Sequence, residues 1–292
     1  MSDPAPADPA PADPAPADPA PADPAPLALT LAAPVAGPPG APVLVLGNSL
    51  GTSAEVWDRQ VPALAGKFTL VRYELPGHGG SGARPGPYTI AELGAGVLAL
   101  LDALGVERAG YCGISLGGMI GMWLAANAPS RIAALGLVCT AAHLPPAGDW
   151  QERAARVRTA GMASISAAVV SRWFTPAYAE LSPSVVAGFR AGLEGTDPEG
   201  YAGCCEAIAD MDLRPDLPAI TAPALVIAGA DDPATPPEYG AVIASGIDGA
   251  RLEVIPGAAH LAAVSAADPV TAALTTHLLT VAVSDAAWRY GR

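Results

Sequence analysis

Residues 110–129 read GYCGISLGGMIGMWLAANAP, and the pentapeptide at their centre, Gly113-Ile114-Ser115-Leu116-Gly117, decides how the rest of the chain is read. The bare pattern says little, because a chain with 32 Gly and 14 Ser among 292 residues holds G-x-S-x-G by chance roughly 0.2 times. Its surroundings say more. The apolar run Ala109 to Cys112 predicts a short buried strand, and Met119 to Ala128 predicts a helix that ends before Pro129. Glycine two residues to either side of the serine lets a tight turn pass close to neighbouring backbone. The Ser115 hydroxyl is then presented at the carboxyl end of a strand, beside the positive end of the next helix.

Working outward, apolar strands alternate with helical segments on both sides of this turn. Strands are predicted at Val43 to Leu46, Phe68 to Tyr73, Ala109 to Cys112, Ile132 to Cys139, Ala224 to Ala228 and Leu252 to Ile255. Helices are predicted near Ala54 to Ala65, Thr89 to Leu104, Leu116 to Ala128, Pro237 to Ser245 and Pro269 to Leu279. Such alternation implies an α/β fold, a mostly parallel twisted sheet with helices on both faces. Residues 27–140 and 217–292 carry that rhythm. Residues 141–216 break it, being mostly helical with interruptions at LPPAGDW, FTPAY, LSPS and GTDPEG. An insertion after a sheet strand sits over the carboxyl edge, where open α/β sheets bind ligands, so this segment is expected to be a helical cap.

Composition narrows the class. With 51% hydrophobic residues the chain can bury a substantial core, and a net charge of −13 argues against nucleic-acid partners and anionic membrane surfaces. Neither a membrane-spanning run nor a secretory leader is legible, and Cys112, Cys139, Cys204 and Cys205 lack metal-site or disulfide-framework spacing. Free thiols in a cytoplasmic protein are the expectation. Residues 3–26 repeat Asp-Pro-Ala-Pro-Ala with Asp at 3, 8, 13, 18 and 23, and residues 1–26 hold no Lys or Arg, a composition that predicts a disordered, extended tail over 1–26.

A serine hydroxyl is a weak nucleophile that needs an adjacent base, itself oriented by a third group. Of the four histidines, His277 falls inside a predicted helix and His143 opens the cap. His260, in IPGAAHLAAV, follows a strand on the edge where Ser115 stands, and His78, in LPGHGGSG, follows another strand at that edge. His260 is the better-placed base; His78 fits a turn histidine that buttresses the loop beside the site. For the acid, LVIAGADDPATPP offers both Asp231 and Asp232 at a strand end. The order Ser, Asp, His along the chain is that of α/β-hydrolases.

From about Ala41 to Leu278 the sequence resembles the α/β-hydrolase superfamily, and within it the 3-oxoadipate enol-lactonases, through the blocks GNSLGTSAEVWDRQVPAL, VRYELPGHGGSG, GYCGISLGGMIGMWLA, LVCTAAHLPPAGDWQERAARVR and VIAGADDPATPP. The chain departs from that pattern at Glu74 and Pro76, where relatives often carry Asp and Arg, and the Asp/Pro tail has no counterpart in it. The resemblance implies Ser115 as nucleophile, His260 as base and Asp232 as acid, the last because the register Gly229, Asp232, Pro236 fits the family's G-x-x-D-x-x-x-P. It further implies an oxyanion hole from the backbone N–H groups of Leu50 and Leu116, no metal or organic cofactor, and a small-molecule lactone as substrate.

A lactone with a carboxymethyl arm needs a cation for its carboxylate, which makes Arg153, Arg156 and Arg158, with Trp150, candidates for substrate binding. Two other readings stand beside this one. In the first the fold and triad serve as an esterase, a carbon–carbon bond hydrolase or a cofactor-free perhydrolase. In the second the pocket turns over slowly and the protein is a ligand-binding receptor.

Overall fold

The computed structural model describes residues 27–33, 37–285 and 288; the tail expected at 1–26 lies outside them. Seven strands form one sheet: β1 (Thr30–Leu31), β2 (Val43–Gly47), β3 (Thr69–Glu74), β4 (Ala109–Ile114), β5 (Ile132–Val138), β6 (Ala224–Gly229) and β7 (Arg251–Ile255). Their order is β1-β3-β2-β4-β5-β6-β7, with β1 antiparallel to β3 and every other pair parallel. Strands β2, β4, β5 and β6 are buried along their whole length, which is why they read as unbroken apolar runs rather than alternating ones. The chain leaves β2 in one direction to form β3 and returns to β2's other side to form β4. The loops after β2 and β4 therefore diverge at a reversal of strand order, the place where open α/β sheets leave a crevice.

Helices follow the strands in turn: α1 (Val61–Leu64), α2 (Ile90–Ala103) and α3 (Leu116–Asn127) precede β5. Then come α4 (Ala147–Ala160), α5 (Ala163–Trp173), α6 (Pro176–Leu181), α7 (Pro183–Glu194) and α8 (Pro198–Asp210), all between β5 and β6. α9 (Pro237–Gly246) joins β6 to β7, and α10 (Ala262–Ser265) and α11 (Ala267–Ser284) follow β7. Helix α2 starts on a capping box, Thr89 accepting from the Glu92 N–H while the Glu92 carboxylate accepts from the Thr89 N–H. None of these helices is long and apolar enough to cross a membrane, among the described residues.

One predicted element is corrected. The helix expected from Ala54 to Ala65 is instead a 3-10 turn, Ala54–Trp57, followed by the four-residue α1. Pro62 is the reason: inside a continuous helix it would lack the N–H owed to the preceding turn and its ring would strike that turn's carbonyl. It sits in the first turn of α1, where no donor is missed. The two-residue edge strand β1 is too short to be seen as a period in sequence.

The inserted helices are tied down as a unit. Arg158 of α4 forms ion pairs with Glu199 and Glu206 of α8, and Glu199 also accepts from the Gly86 N–H at 3.1 Å in the loop before α2. The Asp197 N–H donates to the Gly77 carbonyl at 2.9 Å, joining the start of α8 to the loop after β3.

Candidate active site

Ser115 stands between β4 and α3 with φ 52° and ψ −114°, a left-handed conformation that costs a non-glycine residue about 1–3 kcal/mol. Its surroundings enforce it. The Ser115 N–H donates to the Val138 carbonyl at 2.9 Å, and its own carbonyl accepts from the Thr140 hydroxyl at 2.7 Å. A Cβ on Gly113 would lie 2.2 Å from the Gly117 carbonyl carbon, and one on Gly117 would lie 2.5 Å from the Gly47 carbonyl. The two glycines flanking the serine are thus the condition for α3 to press against both β4 and the loop after β2.

Asp232 and His260 come from the loops after β6 and β7, 28 positions apart in the chain. His260 Nδ1 donates to Asp232 Oδ2 at 2.9 Å. That carboxylate is held by the Ala234 and Thr235 N–H groups on Oδ1, at 2.8 and 3.0 Å, and by the Thr235 hydroxyl on Oδ2 at 2.7 Å. Burial alone would raise its pKa, but the electrostatic attraction of the neighbouring His260 imidazole and the hydrogen bonds from His260 and Thr235 prevail and hold it at about 2. Asp231 is exposed, so Asp232 is the one of the two that reaches the imidazole. With Nδ1 as donor, the Nε2 lone pair is left for chemistry. Ser115 and His260 line one cavity, although no hydrogen bond joins the two among the described residues. Bonds of this kind often tighten only when substrate is present.

Leu50 and Leu116 are both buried beside this turn, Leu50 in the loop after β2 and Leu116 as the first residue of α3. The Leu116 N–H is one of the helix-initiating donors that have no partner within the helix. The loop carrying Leu50 is braced from behind. The Gly51 N–H donates to His78 Nε2 at 2.9 Å, while His78 Nδ1 bonds the Pro76 carbonyl at 2.8 Å. His78 therefore holds this loop rather than facing Ser115. Glu74 accepts from the Ala54 N–H at 3.1 Å and from Asn48 Nδ2 at 3.3 Å; burial pushes its carboxyl up, and the Ala54 bond offsets part of that.

Burial lowers the His78 pKa from the ordinary 6.5 to about 4. Between those values the unfolded chain binds a proton that the folded chain refuses, so this group makes stability rise with pH across that window and adds nothing above it. His78→Gln, whose amide oxygen can still accept from Gly51, is expected to reduce the loss of stability between pH 7 and pH 4.5 by about 2–3 kcal/mol relative to the parent. Denaturant unfolding at the two pH values measures this; identical losses in both proteins would place the proton elsewhere.

The cavity measures about 290 Å³ and lies under the inserted helices, with Ser49, Leu50 and Ser115 on the sheet side and Trp150, Arg153 and Arg172 among the residues opposite. Of the sequence-derived cations, only Arg153 reaches it. Arg156 is a correction, for it does not reach this cavity: it pairs with Glu152 at 2.6 Å and lines a neighbouring recess together with Arg153, because it lies almost one helical turn, about 4.5 Å of rise, farther along α4 from the Ser115 side. Arg158 is taken up by Glu199 and Glu206. Trp150 lines the cavity with its Nε1 donating to the Leu144 carbonyl at 3.0 Å, and the Arg153 guanidinium stacks over its ring at 4.4 Å. Arg172, near the end of α5, escapes sequence reasoning; its signal is a single charge in the apolar helix ASISAAVVSRW, one turn beyond Val169, which lines the same cavity. All four cysteines are free and buried, and burial pushes the Cys112 thiol up to about 12, which leaves it protonated at neutral pH.

Comparison with known proteins finds the family described as alpha/beta hydrolase fold matching residues 42–267. The chain is 42% identical over 214 residues to 3-oxoadipate enol-lactonase 2 of Acinetobacter baylyi, covering 73% of this chain and 80% of that protein. It is 36% identical to 3-oxoadipate enol-lactonase 1 of the same organism, covering 80% of this chain and 86% of the relative. Among solved structures, the enol-lactonase from Burkholderia xenovorans superposes with a TM-score of 0.83 at 43% identity, covering 86% of this chain and 96% of that one.

Proposed function

Because the chain belongs to the alpha/beta hydrolase fold family and, within it, to the 3-oxoadipate enol-lactonases, which makes it an ester-cleaving enzyme, we propose that it opens 3-oxoadipate enol-lactone to 3-oxoadipate through an acyl-enzyme on Ser115. In this reading the Ser115 hydroxyl attacks the lactone carbonyl while His260 Nε2 takes its proton, and Asp232 steadies the imidazolium that forms. The Leu50 and Leu116 N–H groups hold the oxyanion, each worth about 3 kcal/mol of barrier by the precedent of other acyl-transfer sites. Ring opening releases an enolate, which becomes a ketone on protonation and so leaves more readily than an alkoxide. Water activated by His260 then frees the acid. The inserted helices act as a cap that keeps the acyl group in a small cavity, and the reaction belongs to the breakdown of aromatic compounds.

The observation that carries the reading is the Asp232-bound His260 opening, with Ser115, onto a cavity that also presents a guanidinium to the substrate. A neutral-ester hydrolase has no use for that cation. The test is a comparison of kcat/KM for the enol-lactone and for 4-nitrophenyl acetate. A preference for the lactone of at least about 100-fold, the equivalent of about 3 kcal/mol, is expected. Turnover of the neutral ester with lactone opening no faster than the spontaneous rate would overturn the substrate assignment in favour of a general esterase.

A further inference from the structure

Arg153 on α4 and Arg172 near the end of α5 each line two spaces: the cavity that holds Ser115 and a second recess of about 320 Å³ between α4 and α5. They form a shared wall between the two. Among the described residues, neither guanidinium has a carboxylate within ion-pair distance, whereas Arg156, Arg190 and Arg214 each have one and Arg158 has two. Arg153 is held by its stack on Trp150, which occupies the face of its guanidinium and leaves the N–H edge for hydrogen bonding, in part with the Tyr201 phenol. Arg172 is half-buried, and its burial together with the charge on Arg153 lowers its affinity for its proton. Both cations also act on the buried Tyr201 phenol, which lines the catalytic cavity.

Two like charges drawn out of water side by side are unfavourable unless something negative completes them. A guanidinium pair matches the two oxygens of a carboxylate in geometry as well as charge. Arg172 is also coupled to the chemistry through the backbone: its carbonyl accepts from the His260 N–H at 3.4 Å, and the Trp173 carbonyl accepts from the Leu261 N–H at 3.0 Å. The loop bearing His260 thus hangs from the end of the helix that carries Arg172.

We propose that Arg153 and Arg172 together form a carboxylate receptor in the wall between the catalytic cavity and the outer recess, and that Arg172 sets the preference for acyl substrates bearing a free acid. The proposal deepens the lactonase reading and rests on it for the position of the reacting carbonyl. The receptor itself takes any short aliphatic carboxylate, and its second opening lets an acid group reach the pair from the outer recess.

The test is calorimetric titration of the whole protein with adipate, and with adipamide as the uncharged control. Adipate binding is expected to weaken at least about tenfold in Arg153→Gln and in Arg172→Gln, with Arg172→Lys recovering part of the loss and Arg190→Gln, paired elsewhere, binding as the parent does. Melting temperatures of all variants separate lost binding from lost folding, and Arg172→Lys keeps the question answerable if Arg172→Gln folds poorly. Adipate binding that is undetectable in the parent, unaltered by both glutamine variants, or matched by adipamide overturns the proposal. Arginine-dependent adipate binding in a protein that fails to open the enol-lactone would leave the receptor standing and remove the substrate assignment.

Discussion

Ser115→Ala is expected to lower kcat for the enol-lactone by about 10⁵- to 10⁶-fold, the scale on which loss of the attacking atom falls in other serine hydrolases. What survives comes from binding and from the amides around the oxyanion, which the substitution leaves in place. The fold should hardly notice, since the Ser115 anchors are its main-chain N–H and carbonyl, bonded to Val138 and Thr140, and alanine retains both. The turn supplies a second, independent readout. Alanine keeps the cost of φ 52° whereas glycine does not, so Ser115→Gly should melt above Ser115→Ala while being equally inactive. Steady-state turnover and thermal unfolding of the three proteins suffice. A residual rate within tenfold of the parent would assign the attack to another group.

Asp232→Asn is expected to cost about 10⁴-fold in kcat with little change in KM. The amide oxygen would keep the bonds from the Ala234 and Thr235 N–H groups, which places the new NH₂ against His260 Nδ1. That contact favours the tautomer with its proton on Nε2, so the imidazole offers Ser115 a donor where the reaction needs a lone pair. Exchange of the exposed neighbour, Asp231→Asn, should leave kcat within a factor of a few. If the two substitutions had equal effects, orientation of the imidazole by Asp232 would not be the source of the loss.

The parts of the site that were legible in the sequence are those fixed by local chemistry. Ser115 is visible because close approach of α3 to β4 demands glycine on both flanks, Asp232 because it follows the buried apolar strand β6, and His260 because it follows β7 at the same edge of the sheet. Asp231 and Asp232 are indistinguishable by composition; which one turns inward is settled by the Asp231 N–H bonding the Ala258 carbonyl and by the amides that gather on Asp232. Arg172 lies beyond sequence reasoning because its partner in the wall, Arg153, belongs to a different helix, and only the packing of α4 against α5 makes them neighbours. The split of the expected Ala54 to Ala65 helix is different, for Pro62 is in plain view and hydrophobic spacing outweighs it in the reading.

The long helical segment between β5 and β6 has a bearing on how this chain comes into being. Strand β6, which delivers Asp232, must insert beside β5 from the far side of the long helical interlude, and β7 then closes against it. The β5–β6 pairing joins segments remote along the backbone, and such topologies fold slowly because loops must close before contacts reward them. A polypeptide still emerging from the ribosome has its nucleophile long before its acid and base, so hydrolytic power arrives only when the last third of the molecule has been made.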